Sequence, residues 1–172
     1  MTDPIPLAAR AARALLLIPA AAVLPTAAYA DTASSTLSVS ATVTANCTVS
    51  TSALAFGSVN TLSGSNVDST GGLSVTCTNG TAWAASAGVG SGTGASYSSR
   101  RLTAGSNLLS YNLFTDSSRS SVWGDGSGST ATIAGTGSGT GQAVTIYGRV
   151  SSGQTSVPAG SYADTVAVTI TY

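Results

Sequence analysis

The chain has 172 residues with six basic and six acidic side chains, and it contains no histidine, lysine or glutamate. So few charges provide no basic patch for nucleic acid or for an anionic membrane surface. Three of the side-chain types that perform general acid–base catalysis are missing, among them the lysine that a P-loop requires. We therefore expect no nucleic-acid partner, no enzymatic activity, and neither a cofactor nor a metal ion.

Residues 1–30 have the pattern of a cleaved signal peptide. Arg10 and Arg13 supply a positive region, an apolar stretch covers 14–24, and Ala28-Tyr29-Ala30 is a small-x-small cleavage site. The apolar stretch is shorter than the roughly 20 residues that span a bilayer, which argues against a membrane anchor. Cleavage after Ala30 leaves 142 residues with four arginines and five aspartates, enough for one exported domain.

A strict alternation of apolar and polar residues follows, from Thr36 to Ala45. Its polar face consists wholly of serine and threonine, and its apolar face carries Leu37, Val39, Ala41 and Val43. A strand of this kind suits an apolar groove on one side and water on the other. The predicted strand continues through Asn46 to Val49. It could pair within its own domain or with another copy of the chain.

The two cysteines of the sequence, Cys47 and Cys77, both lie in the exported part. An oxidising compartment makes a disulfide between them the expected state. Closing a loop of about 30 residues restricts the unfolded chain and stabilises the fold by roughly 3–4 kcal/mol. A free reactive thiol or a metal pair is disfavoured, because no histidine or glutamate is available to support either.

Short strands separated by turns account for the rest of the chain. Abundant threonine and valine favour pleated surfaces, and no segment has a helical period. The predicted strands are 73–77, 81–87, 108–115, 120–123, 143–150 and 163–172, with turns at Asn79-Gly80 and at 157–160. The Gly- and Ser-rich segments 88–99 and 124–141 are predicted to be long surface loops. Together these elements predict an all-β sandwich.

The remaining aspartates and aromatic residues are assigned structural roles. Asp116, Asp125 and Asp164 each lie beside serine, glycine or threonine, where they are expected to accept hydrogen bonds at turns and strand ends. Calcium binding by the Gly-rich segments is disfavoured, because the regularly spaced aspartates of calcium-binding repeats are absent. Four aromatic residues are expected in the core rather than on a sugar-binding platform: Trp83, Tyr111, Phe114 and Trp123.

A series of motifs resembles the spore coat protein U domain family, the pilin subunits of the archaic chaperone–usher pathway typified by Csu pili. The motifs occur in the family's order and cover nearly the whole exported chain. They are A-N-C-T-V at 45–49, A-F-G at 55–57, L-L-S-Y-N-L-F-T-D at 108–116, V-W-G-D-G at 122–126, I-Y-G-R-V at 146–150 and G-S-Y-A-D-T-V-A-V-T-I-T-Y at 160–172. The match is poor at 88–99 and 127–141.

This resemblance implies an incomplete immunoglobulin-like β-sandwich, which lacks its last strand and is completed by donor-strand exchange. A periplasmic chaperone fills the open groove first, and an outer-membrane usher then exchanges it for the N-terminal strand of another copy. The donor segment is then 31–46, with Leu37, Val39, Ala41 and Val43 facing the groove, and the pilin domain is 47–172. The acceptor groove is expected between the strand near Cys47 and the last strand, where four residues form its edge: Val166, Val168, Ile170 and Tyr172.

The expected function is that of a structural pilus subunit, which polymerises into surface fibres for adhesion and biofilm formation. Such a subunit is exported through the periplasm to the cell surface. The alternative is a secreted single-domain adhesin or a coat protein.

Overall fold

The computed structural model describes residues 27–172, so most of the predicted signal peptide lies outside the described residues. Residues 27–46 are exposed and contain neither helix nor strand. From Cys47 onward the described chain consists of β-strands and their connections. The prediction of an all-β chain is confirmed.

Within residues 27–172, ten strands form two sheets. The strands are β1 (Cys47–Ser52), β2 (Val67–Cys77), β3 (Ala82–Ala87), β4 (Arg100–Ala104), β5 (Asn107–Phe114), β6 (Val122–Trp123), β7 (Thr130–Ala131), β8 (Ile133–Thr136), β9 (Gln142–Val150) and β10 (Val168–Thr171). The large sheet has the order β1-β2-β9-β5-β6-β7, and β4 also pairs with β5. The small sheet has the order β10-β3-β8.

The hydrophobic core lies between the two sheets and follows the two-residue period of the strands. Alternate residues of β3 and β5, and of the second halves of β2 and β9, point inward and are buried. The buried apolar residues are Leu73, Val75, Cys77, Trp83, Ala85, Ala87, Leu109, Tyr111, Leu113, Trp123, Ile146 and Val150. Three of the four predicted core aromatics are among them, and Phe114 is half-buried.

The predicted turn at Asn79-Gly80 carries the chain from one sheet to the other. Gly80 has a φ of 81°, which favours glycine, and the amide of Thr81 donates a 3.0 Å hydrogen bond to the carbonyl of Thr78. Because β2 belongs to the large sheet and β3 to the small one, the turn joins the layers instead of forming a hairpin.

The prediction of a long surface loop at 124–141 is wrong, because this segment contains β7 and β8. Gly135 of β8 lies opposite Trp83 of β3, and a Cβ at position 135 would come within 2.4 Å of the indole Cζ2. The glycine thus lets the indole ring cover the strand. This contact between strands stabilises β8 without the apolar alternation that a sequence prediction requires.

The segment 88–99 is a connection without strands between β3 and β4, as predicted, although Gly92 within it is buried beside Arg101. Two other segments differ from the sequence prediction. β4 was not predicted, because its first residue is an arginine. The last strand covers only Val168–Thr171 instead of 163–172, and Ala163 forms an isolated bridge with Thr103.

The predicted continuous strand from Thr36 to Val49 begins only at Cys47. An extended segment without a partner has no ladder of hydrogen bonds, so the alternation alone does not make it a strand. Whether Thr36–Ala45 pairs with another copy stays a prediction.

Candidate functional site

Two strand edges border an open cleft on one side of the sandwich. Among residues 27–172, β1 pairs with β2 alone and β10 pairs with β3 alone. The cleft between these edges has a volume of about 290 Å³, with 51–54 on the β1 side and 164–168 on the β10 side. Its floor includes the core residues Leu113, Trp123 and Ile146. We call this space the edge cleft.

The residues predicted as the groove edge alternate along the last segment of the chain. Val166 and Val168 line the edge cleft and are half-buried, as is Ile170. The side chain of Tyr172 is 57% exposed. The first three pack against the core but remain partly open to solvent, which leaves an incompletely covered apolar face beside a free strand edge.

Leu54 and Phe56 form the opposite wall of the edge cleft. A Cβ on Gly71 would lie 2.9 Å from the Cβ of Leu54, and one on Gly148 would lie 2.8 Å from both Leu54 methyl carbons. The ring of Phe56 meets Tyr111 edge-on, with centroids 5.9 Å apart. The two glycines therefore make room for this wall to pack directly on β2 and β9.

A second cleft of about 810 Å³ extends the edge cleft between 54–62 and 157–164. Four residues line both spaces, which are therefore continuous: Leu54, Phe56, Leu102 and Asp164. Along the combined groove, the two walls run in opposite chain directions. Within β10, Val168 alone lines this combined groove.

Among the residues that line the groove, Asp164 alone is charged. One carboxylate oxygen accepts hydrogen bonds from the amide and hydroxyl of Ser91 at 2.8 and 2.7 Å and from the amide of Thr165 at 2.7 Å. The other oxygen accepts a 2.7 Å hydrogen bond from the Tyr111 hydroxyl. Burial raises the pKa of Asp164, but these hydrogen bonds outweigh it and the pKa is lowered, so the carboxylate is ionised at neutral pH. Burial and the contact with Asp164 raise the pKa of Tyr111.

Arg100 is fully buried, although no pattern in the sequence indicates this. Its guanidinium donates to the carbonyl of Gly88 at 3.0 and 2.8 Å, to that of Trp123 at 2.6 Å and to the Asn112 side chain at 2.6 Å. Burial lowers its pKa, yet an arginine stays protonated. Since the amide of Gly88 donates to the carbonyl of Ala167, Arg100 helps to fix the residue that precedes β10.

The predicted disulfide between Cys47 and Cys77 is present. The two cysteines lie opposite each other at the start of β1 and the end of β2. The neighbouring residues Asn46 and Thr78 also pair. The amide of Asn46 donates to the Thr78 hydroxyl at 3.1 Å, and the amide of Thr78 donates to the carbonyl of Asn46 at 2.9 Å. The chain is therefore fixed to its own domain from Asn46 onward.

The four predicted donor residues are exposed. Leu37, Val39 and Val43 are 88%, 82% and 85% exposed, and Ala41 is exposed as well. Three large apolar side chains in solvent within seven residues are typical of an interaction site.

Asp116 and Asp125 have the turn roles that the sequence predicts. Asp116 accepts hydrogen bonds from the Ser118 hydroxyl and from the amides of Ser120 and Ser121, and these bonds lower its pKa. Asp125 accepts from the hydroxyl and amide of Ser127, which likewise lowers its pKa. Both carboxylates are used in local loop structure.

Across residues 27–172, no group of three or more His, Cys, Asp or Glu side chains could hold a metal ion. In the same part of the chain, no helix is long and apolar enough to cross a membrane.

Comparison with known proteins places the chain in a family. The model of the Spore Coat Protein U domain matches residues 33–169. Protein U of Myxococcus xanthus is 37% identical over 120 residues, which are 66% of this chain and 65% of that protein, so the match spans slightly less than two thirds of that relative.

A solved structure has a similar fold. It is a chain from the crystal structure of the CsuC–CsuE chaperone–tip adhesion subunit pre-assembly complex of the archaic chaperone–usher Csu pili of Acinetobacter baumannii. The TM-score is 0.54 at 23% identity, and the alignment covers 76% of this chain and 40% of that one. This likeness is consistent with the predicted immunoglobulin-like sandwich. Because the family model matches most of the sequence, the chain belongs to the Spore Coat Protein U domain family.

Proposed function

We propose that this protein is a structural subunit of a chaperone–usher pilus, and that residues within segment 31–46 of one copy fill the groove of another. One observation carries the proposal: the same chain has an open apolar groove beside the free edge of β10 and an exposed segment that alternates with the period of a strand. A free edge offers unpaired amides and carbonyls, and an added strand satisfies them while its alternate side chains fill the groove.

The energetics support an exchange of strands between copies. Burial of Leu37, Val39 and Val43 removes large apolar side chains from water, at about 1.5–3 kcal/mol each. Each new main-chain hydrogen bond adds about 0.5–1.5 kcal/mol. Ordering the donor segment opposes these gains, and the surplus holds the fibre together without covalent links.

The proposal extends to export, partners and use. Residues 1–30 would be removed on export, 31–46 would form the donor segment, and 47–172 would form the incomplete pilin domain. A periplasmic chaperone would cover the groove of the free subunit, and an outer-membrane usher would direct the exchange. The fibre would serve adhesion and biofilm formation at the cell surface, with no catalytic step.

The test uses charge on the two faces of the donor segment, in a host that supplies the chaperone and usher. Val39→Asp and Val43→Asp would place a carboxylate in the apolar groove, at a cost of several kcal/mol. Thr42→Asp puts the same charge on the opposite face and serves as the matched control. The account predicts loss of surface fibres with the first two variants and near-normal assembly with the third, as seen by electron microscopy.

The chaperone complex should remain intact for all three variants, because the groove itself is unchanged. Fibres at wild-type levels from Val39→Asp and Val43→Asp would refute the donor assignment, as would equal damage from Thr42→Asp.

A further inference from the structure

We propose a specific register for the exchanged strand, an inference that rests on the proposed function: the donor segment runs antiparallel to β10, with its four apolar residues opposite the four apolar residues of the groove edge. The opposed pairs are Leu37 with Tyr172, Val39 with Ile170, Ala41 with Val168, and Val43 with Val166.

The first constraint is the point at which the donor segment must end. Asn46 is held by hydrogen bonds to Thr78 of its own domain, and Cys47 is the first residue of β1 and is bound to Cys77. Neither residue is free to enter the groove of another copy. The part of segment 31–46 that enters the groove therefore ends at Ala45.

The second constraint is the period of the two strands. The donor segment is apolar on one face only, and a slip by one residue would turn that face to solvent. Register changes are therefore restricted to steps of two residues. On the groove side, the residue two positions before Val166 is Asp164.

Asp164 distinguishes the remaining registers. In the proposed register, Asp164 lies opposite Ala45, the last donor residue that can enter the groove. A shift by two residues would set the branched side chain of Val43 on the carboxylate and the polar Ser35 against Tyr172. An apolar group there excludes water from an ionised oxygen and offers it no hydrogen bond, which costs free energy.

The opposite shift is also disfavoured. It would bring Cys47, which is fixed in its own domain, opposite Asp164. It would also leave Ile170 covered only by the methyl group of Ala41, and Val166 only by that of Ala45. The apolar groove edge would then lose its larger partners.

The direction of the strand follows from the same carboxylate. A parallel strand over the same span would place Leu37, the largest donor side chain, opposite Asp164. It would place Ala45 opposite Tyr172, the most exposed residue of the groove edge. Antiparallel pairing avoids both mismatches, because it places Ala45 opposite Asp164 and Leu37 opposite Tyr172. Its hydrogen bonds are also somewhat stronger than those of a parallel pair.

Cysteine pairs across the proposed ladder test the register in assembled fibres. Ser40→Cys with Thr169→Cys places two outward-facing thiols directly opposite each other in neighbouring copies, where cross-strand Cβ atoms lie about 4.5–5.5 Å apart. Ala41→Cys with Val168→Cys tests the inward face in the same register. Assembly of all variants is first checked under reducing conditions by electron microscopy.

Three further pairs are the matched controls. Ser38→Cys with Thr169→Cys and Thr42→Cys with Thr169→Cys correspond to shifts of two residues, and Ser38→Cys with Thr165→Cys corresponds to the parallel strand. Diagonal neighbours in a sheet are about 7–8 Å apart, too far for a disulfide. After oxidation, the proposed pairs should lose the monomer band to a ladder of linked subunits on non-reducing gels, and the controls should remain monomeric.

The outcomes separate the register from the function. A ladder from a shifted or parallel pair, with none from the proposed pairs, would overturn the register and leave strand exchange in place. Fibres without a ladder from any pair would also overturn the register, and the Val39→Asp and Val43→Asp variants then decide whether the donor assignment stands.

Discussion

The two sides of the sandwich are built in different ways. On one side, β7 ends the large sheet and β8 ends the small one, and a single residue, Thr132, separates them in the chain. One continuous segment therefore connects the two sheets at that side. On the other side, β1 and β10 are the end strands, and a groove lies between them.

The difference lies in the residues of the end strands. The closed side uses Gly135, which lets Trp83 lie across β8. The open side presents Val166, Val168 and Ile170, which are apolar, branched and only half-buried. Branched apolar residues that stay half-covered at a free strand edge indicate a missing partner, whereas a glycine under an indole ring indicates completed packing.

The largest effect is expected from loss of the disulfide, the one covalent link between β1 and its neighbour β2. Replacing both cysteines with serine, Cys47→Ser with Cys77→Ser, should lower the free energy of unfolding by about 3–4 kcal/mol. Urea unfolding of the mature protein measures this change. A loss below about 1 kcal/mol would show that pairing with β2 alone holds the open side together.

An intermediate effect is expected from Gly135→Val on the closed side. The new side chain would collide with the indole of Trp83, since even its Cβ lies 2.4 Å from a ring carbon. Overpacking of this kind costs about 1–3 kcal/mol. Ala134→Val, at the exposed neighbouring position of β8, is the matched control and should be nearly neutral. Equal melting temperatures for the two variants would contradict this account of the closed side.

The smallest effect concerns pH and Asp164 on the open side. Its pKa is lower in the folded chain than the ordinary value of about 3.9, so the folded state binds fewer protons than the unfolded state. Its contribution to stability is complete above that ordinary pKa and is lost as pH falls through it toward the folded value. Between pH 5 and pH 2, the wild type should therefore lose more stability than Asp164→Asn. Parallel stability curves for the two proteins would contradict the role of this carboxylate.

Strands whose alternate residues enter the core could be predicted from the sequence. β2, β3, β5 and β9 each bury alternate apolar side chains, so their period of two is visible in the sequence. β8 was missed because its stability depends on Trp83, which is distant in sequence. β4 was missed because Arg100 is buried by hydrogen bonds to carbonyl groups, and no local pattern indicates such a contact.

The candidate site shows the same division. The alternation of Val166, Val168 and Ile170 predicted one wall of the groove, and the structure places Val166 and Val168 there. The opposite wall depends on Leu54, whose position is set by Gly71 and Gly148 from two other strands. That contact, like the hydrogen bonds to Asp164, brings together residues far apart in the chain, and periodicity carries no information about it.

The most direct test of the central claim is to fill the groove within one chain. A second copy of Thr36–Ala45 is fused after Tyr172 through a short Gly/Ser linker, and the control fusion carries Val39→Asp and Val43→Asp in the added copy only. The account predicts a monomer that melts at least about 10 °C above the control, because several kcal/mol of apolar burial are gained. Equal melting temperatures and the same distribution of oligomers for the two fusions would contradict the claim that this groove accepts this strand.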